Sequence, residues 1–294
     1  SVQQTTDGGY IICGETNSFT AFGETDVYLI KTDNNGVEQW YQTYGGMYND
    51  VGHSVQQTTD GGYIIVGYTF ISGGNNDILL IKTDSNGNEE WNKTFSEEYS
   101  WGSTSYGWDV QQTTDGGYII TGSVKGNIEH LNTNNGSRYY LWLMKTDSNG
   151  NEEWKSKFSG YSNDGIGNAY GRSVKQTSDG GYIITGNVST QENQEELWLI
   201  KTDSQGKEEW NKLFGGSYDD YGYSVQQTTD YGFIIVGTTR SFENNKSHIW
   251  LIKTNSNGTE EWSKVIGRGQ GDYGRSVNQT FDGGYFIGGT TWSA

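Results

Sequence analysis

The sequence predicts an all-β fold, a β-propeller of four-stranded antiparallel blades, and three observations carry that prediction. One phrase, "SVQQTTDGGY" at Ser1–Tyr10, returns in near copies from Ser54, Asp109, Ser173, Ser224 and Ser276. Each complete copy holds four short strand-like segments, in the second repeat "HSVQQTT", "YIIVGYT", "DILLIKT" and "EEWNKTF". The turns between them are written in Gly, Asn and Asp, in a chain with 44 Gly and no Pro. Four strands recurring at about 50 residues match propeller blades rather than leucine-rich or helical arrays.

The repeats run 1–53, 54–108, 109–172, 173–223 and 224–275, with a half repeat at 276–294, all within a single domain spanning 1–294. Within each, a first strand (A) ends at "DGGY", where Gly supplies the positive φ of a tight hairpin. Strand B follows, then a loop that differs from copy to copy. Strand C is a continuous apolar run, "ILLI", "LWLM", "LWLI" or "IWLI", as expected when neighbouring blades cover both faces. The turn "TDSNGNEEW" (Thr83–Trp91) sets Asn86-Gly87 before strand D, a strong hairpin signal.

The order A-B-C-D occurs five times and then stops after A and B. The expected architecture is six-bladed, with five complete blades and a two-strand half blade whose C and D strands come from a segment upstream of Ser1. A six-bladed ring with a two-stranded last blade and a five-bladed ring with a surplus hairpin stay open as alternatives. An unfinished blade would leave a strand edge open to self-association.

The 11 Trp, 21 Tyr and 10 Phe exclude a disordered chain. A net charge of −17 argues against a nucleic-acid partner, which needs clustered Lys and Arg, and equally against an anionic membrane face. No apolar run approaches the roughly 18–20 residues of a membrane span. Ser1 begins inside a repeat, as in a trimmed or excised chain, and an extracellular or cell-surface location is expected. Cys13 aligns with Val66, Thr121, Thr185, Val236 and Gly288 and reads as a small buried side chain. His53, His130 and His248 share no spacing suited to zinc, so no metal site is expected. Asp84, Asn86 and Glu89 superficially resemble part of a calcium loop, but the fifth copy carries Asn255 at the Asp position, which favours an ordinary hairpin over a cofactor.

One position stands out by internal comparison. The residue before each "SV" or "DV" is His53, Trp108, Arg172, Tyr223 and Arg275, each preceded by Gly. It is expected at the entrance of the innermost strand, near a central channel, with Asp50, Asp220 and Asp272 and Tyr106, Tyr170, Tyr221 and Tyr273 close by. Aromatic and Arg side chains around a concavity suit a sugar or an acidic ligand. The plainer alternative is that they fill the channel mouth and pair with local carboxylates.

The pattern "SVQQTTDGGYIIxGxT…LIKTDxxGxxxW" resembles the β-propeller repeats of large secreted or surface-attached prokaryotic proteins, over essentially the whole chain. The constant step Gly36/Trp40, Gly87/Trp91, Gly150/Trp154, Gly206/Trp210 and Gly258/Trp262 is similar to the tryptophan-docking repeats of quinoprotein-type propellers. That likeness implies that Trp40, Trp91, Trp154, Trp210 and Trp262 pack between blades. The step is one residue longer than in the Asp-box turn of sialidases. Near-identical blades suit a non-enzymatic binding or adhesion module that reads glycan or protein ligands through its variable loops. A structural subunit of a surface layer or filament is the first alternative. A sialidase- or lyase-like enzyme is the second, for which the five arginines Arg138, Arg172, Arg240, Arg268 and Arg275 are the candidate carboxylate ligands.

Overall fold

Antiparallel strands account for all the regular structure in a computed structural model that describes residues 1–18, 24–71, 74–96, 104–126, 138–162, 165–190, 194–242, 245–267 and 271–292. These residues form two compact units, one of Ser1–Ser137 with Met144–Lys155 and the other of Arg138–Leu143 with Ser156–Ala294. Among the described residues there are five four-stranded sheets, each ordered A-B-C-D, and a sixth of A and B alone. The A strands are Val2–Gln4, Asp50–Gln57, Ser105–Gln112, Ala169–Gln176, Asp220–Gln227 and Gly271–Gln279. The B strands are Tyr10–Thr16, Tyr63–Ile71, Tyr118–Gly126, Tyr182–Ser189, Phe233–Thr239 and Tyr285–Trp292. A short ribbon, Gly160–Ser162 against Gly165–Gly167, sits between the third and fourth blades in the chain.

Burial follows strand position. In the fourth blade every residue of the C strand from Leu197 to Thr202 is buried, whereas the D strand Glu208–Phe214 exposes most of its length. The continuous apolar runs are therefore covered on both faces, as their composition requires.

An A strand is a sheet edge, and an edge leaves backbone N–H groups without a ladder partner. The two glutamines of "SVQQ" supply the missing acceptors across blades. Gln3 Oε1 accepts from Gln57 N at 2.7 Å, Gln56 Oε1 from Gln112 N at 2.6 Å and Gln226 Oε1 from Gln279 N at 2.7 Å. The second glutamine reaches back: Gln57 Oε1 accepts from Thr6 N, Gln112 Oε1 from Thr59 N, Gln227 Oε1 from Ser178 N and Gln279 Oε1 from Thr229 N. The repeated phrase is thus a clamp between neighbouring edges, which satisfies groups that would otherwise cost free energy on burial.

The lysine of "IKTD" closes the other end of the sheet. Lys82 Nζ lies 2.8 Å from Asp60 in the A–B turn and 2.9 Å from Glu90 in strand D, and donates to Thr83 O. Lys145, Lys201 and Lys253 repeat this with Asp115/Glu153, Asp179/Glu209 and Asp230/Glu261, and Lys31 bonds Asp7 and Gln39. Burial pushes the Asp60 carboxyl up, but bonds from Lys82, Thr58 and Gly62 outweigh it and hold the group at about 2.

The docking tryptophans stand edge-on or tilted against the first aromatic residue of the next B strand. Trp40–Tyr63, Trp91–Tyr118, Trp210–Phe233 and Trp262–Tyr285 have centroids 5.8, 5.9, 5.9 and 5.8 Å apart. The same rings lie against the next blade's turn glycine: a Cβ on Gly87, Gly150 or Gly258 would approach Trp40, Trp91 or Trp210 within 2.7, 2.7 and 2.6 Å. Trp154 is half-buried in its D strand, Glu152–Phe158. Cys13 is buried, its thiol pushed up to about 12 by desolvation.

Candidate functional site

The five variable residues do not lie at the strand entrance, as the sequence suggested, but inside the A strand. The strands begin three or more residues earlier, at Asp50, Ser105, Ala169, Asp220 and Gly271. In each, the ladder to strand B skips one residue. Gly52 pairs with Gly67 and Ser54 with Val66, leaving His53 out; the same gap leaves out Trp108, Arg172, Tyr223 and Arg275. This is a β-bulge, which frees one residue from the pairing and re-aims its side chain.

The glycines around the bulge explain why the backbone can do this. Strand B carries Gly67, Gly122, Gly186, Gly237 and Gly289 opposite it, and a Cβ there would collide with the carbonyl oxygens of Val51, Tyr106, Tyr170, Tyr221 and Tyr273. The glycine before the bulged residue lies against the previous blade: a Cβ on Gly107 would be 2.5 Å from Val66 Cγ2, and one on Gly274 2.6 Å from Val236 Cγ2. Gly52 meets Cys13 in the same way, which is why that position of strand B stays small.

In the first unit the bulges gather rings. His53 stacks on Trp108 at 4.2 Å and 7° and lies 5.5 Å from Tyr68. Tyr68 meets Tyr106 edge-on at 5.0 Å, and Tyr106 lies 6.0 Å from Trp108. His53 Nδ1 is 2.8 Å from the Gly107 carbonyl, so Nδ1 carries the proton and donates. Burial raises the Tyr68 phenol above its ordinary range, with Glu15 and Tyr106 adding to the shift.

In the second unit the bulges gather two guanidiniums on tyrosines. Arg275 lies 4.4 Å over the Tyr223 ring and 5.6 Å from Tyr273; Arg172 lies 5.8 Å from Tyr170. Tyr221 stacks on Tyr223 at 6.3 Å. Burial lowers Arg172 below its ordinary value, opposed by Tyr223 and Tyr170, while the neighbouring Arg275 adds to the lowering. The phenols of Tyr170 and Tyr221 are pushed up to about 12, by burial first.

The aspartates that the sequence grouped with these residues have other work. Asp50, Asp220 and Asp272 are 4%, 0% and 3% exposed. Asp50 accepts from Gly46 N at 3.0 Å, Asp220 from Gly216 N at 3.0 Å and Ser241 Oγ at 2.7 Å, and Asp272 from Thr291 Oγ1. They brace the D–A loop against the end of strand B. Burial raises Asp50 and Asp220 above the usual carboxylate range.

Two clefts lie elsewhere. One of about 240 Å³ is lined by Tyr44, Met47, Asp50, Leu79 and Glu89, the other of about 480 Å³ by Lys157, Phe158, Trp198, Glu208 and Asn211. Neither lining includes a bulged residue. In the turn at Asp84, one carboxylate oxygen accepts from Asn86 N and Asn88 N and the other from Asn88 Nδ2, so the turn itself occupies both. Among the described residues no group of three His, Cys, Asp or Glu side chains is arranged to hold a metal, and no helix is long and apolar enough to cross a membrane. His130, Arg268 and much of the variable loops at 97–103 and 127–137 lie outside the described residues.

No family model matches the chain, and no curated protein matches it. Among solved structures it is similar to a protein of unknown function from Dyadobacter fermentans DSM 18053, at 12% identity and a TM-score of 0.57, over 98% of this chain and 92% of that one. It is also similar to the Hadza microbial sialidase Hz136, at 9% identity and a TM-score of 0.54, over 94% of this chain but 60% of the sialidase. At such identities the likeness concerns fold alone. The fold is a β-propeller of four-stranded antiparallel blades, five complete and one of two strands.

Proposed function

We infer that this protein is a non-enzymatic binding module, displayed outside the cell, that recognises glycans through the bulged residues of its A strands and the variable loops beside them. One observation carries the reading. The same bulge recurs in five blades, and the residue it frees is a different large aromatic or cationic side chain in nearly every copy. A scaffold that needed only a plug would be served by one residue type repeated, as the docking Trp is. Stacked rings offer apolar faces to sugar C–H groups, and the guanidiniums offer planar donor forks to oxygens.

The test is a glycan array probed with wild type beside a Trp108→Ala/Arg275→Ala double variant, folding of both checked by circular dichroism. Signals confined to wild type support the reading; equal signals from both proteins contradict it.

A second reading, self-association as the subunit of a larger assembly, is favoured by the last blade. Among the described residues strand Tyr285–Trp292 pairs only with Gly271–Gln279, and Phe281, Phe286 and Trp292 are heavily exposed. Light scattering at physiological salt decides it: growing assemblies support this reading, and a monomer at all concentrations removes it.

A further inference from the structure

Several cations of the described structure are committed to carboxylates. Each of Lys82, Lys145, Lys201 and Lys253 holds two, and Arg240 faces Asp219 at 3.5 Å. Arg275 differs. It is exposed, its guanidinium carbon lies 4.4 Å over the Tyr223 ring with Tyr273 at 5.6 Å, and among the described residues no carboxylate pairs with it.

We propose that Arg275, with Arg172 near it, binds the carboxylate or sulfate of an acidic glycan; this rests on the glycan-binding reading above and adds the charge that the ligand must carry. The geometry suits that group in three ways. Arg275 sits over the Tyr223 ring and no described carboxylate takes its N–H groups, so its planar fork can make a bidentate contact with an oxyanion, which a lysine on the same backbone would not form. Arg172 lies close enough to Arg275 for the two like charges to repel, so an anion bound beside them relieves a cost already present in the folded state. Tyr273 lies beside Arg275, Tyr170 beside Arg172 and Tyr221 beside Tyr223, so aromatic rings adjoin the pair where a sugar would lie. The net charge of −17 does not forbid this, because at physiological ionic strength charges more than about 8 Å away are largely screened.

The experiment is calorimetric titration of the whole chain with four probes: oligogalacturonate, its methyl ester, a sulfated galactan oligomer of similar length, and inorganic sulfate. The expected result is binding of one or both charged oligomers at least about tenfold tighter than the ester, weakening as NaCl is raised. The two charged arms separate a carboxylate from a sulfate ligand. Arg275→Gln should lower that affinity by about 10- to 100-fold with the melting temperature lowered by no more than about 4 °C, since the side chain is exposed. Arg275→Lys should recover only part of it. Equal binding of acid and ester would overturn the inference and leave glycan binding standing. Binding of inorganic sulfate as tight as the sulfated oligomer would overturn it as an ion site only. No binding of any oligomer would remove both this inference and the reading beneath it.

Discussion

The two clusters of bulged residues are built by one backbone device and hold opposite chemistry. In the first unit, His53 and Trp108 stack face to face among Tyr68 and Tyr106, and the cluster is aromatic throughout. In the second, Arg172 and Arg275 rest on Tyr170, Tyr223 and Tyr273, and the cluster is cationic. The glycines that permit the bulge are the same in both. The scaffold and the site divide the labour: the ladder, the glutamine clamp and the lysine triads are fixed, while the residue that the bulge frees contributes nothing to pairing and is open to change.

The largest expected effect comes from breaking the shared device. Gly107→Val and Gly222→Val press a side chain into Val66 and Thr185 of the preceding blades. Overpacking costs about 1–3 kcal/mol, and each kcal/mol moves the melting temperature of a chain this size by about 2–4 °C. Both variants should fall by roughly 5–10 °C in calorimetry; a fall in one alone would show that the two units do not rely on the same construction.

Next in size is the split in binding. Trp108→Ala should weaken binding of a neutral oligosaccharide at the first cluster by about tenfold, and Arg275→Ala should weaken binding of an acidic one at the second and flatten its salt dependence. Identical salt profiles from the two variants would erase the distinction between the clusters.

Acid stability sharpens the comparison of scaffold with loops. Asp60, Asp115, Asp179 and Asp230 are held at about 2 by bonds that include the buried lysines. A depressed carboxylate contributes stability that is present above its unfolded value of about 3.9 and lost as pH falls toward 2. Asp50 and Asp220 are raised by burial, so the folded state takes up their protons first and stability rises as pH falls from 7 toward their unfolded value. The melting temperature should therefore peak at mildly acid pH and drop below about 4. Lys82→Met in one unit and Lys201→Met in the other should both flatten the acid limb. A wild type most stable at neutral pH would count against the role given to the loop aspartates.

The smallest effect concerns a single turn. Tyr231 has φ 66° where the five other A–B turns have Gly at positive φ of 84 to 88°. A side chain held there costs on the order of 1 kcal/mol, so Tyr231→Gly should raise the melting temperature by about 2–4 °C and leave binding untouched. A decrease would show that Tyr231 packs on something useful.

The blades, their turns and the docking Trp were legible because each leaves a local mark: a repeat, a Gly at a hairpin, a fixed Gly-to-Trp step. Internal comparison also picked out His53, Trp108, Arg172, Tyr223 and Arg275, since a variable residue in a constant phrase is visible without structure. Their bulge was not, because a period-two reading begins the strand at the variable residue, as in "HSVQQTT", and takes the preceding Gly for loop. The signal was the second glycine, in "IIxG", whose purpose appears only when it faces the first across the ladder. Lys82 was missed for a different reason: a lysine ending an apolar run reads as the exposed end of a strand, and its carboxylates come from two other segments. Asp50, Asp220 and Asp272 were grouped with the site by proximity in sequence, while their partners Gly46, Gly216, Ser241 and Thr291 draw them into the loop base.

The most direct test of the whole account is to see which side chains a bound sugar touches. Tryptophan indole and arginine Nε resonances would be followed by heteronuclear NMR while an acidic oligosaccharide is titrated in. The account predicts that Arg172 and Arg275 move while Trp40, Trp91, Trp154, Trp210 and Trp262 stay where they are. Movement of the five docking tryptophans with the bulged residues unaffected would contradict it.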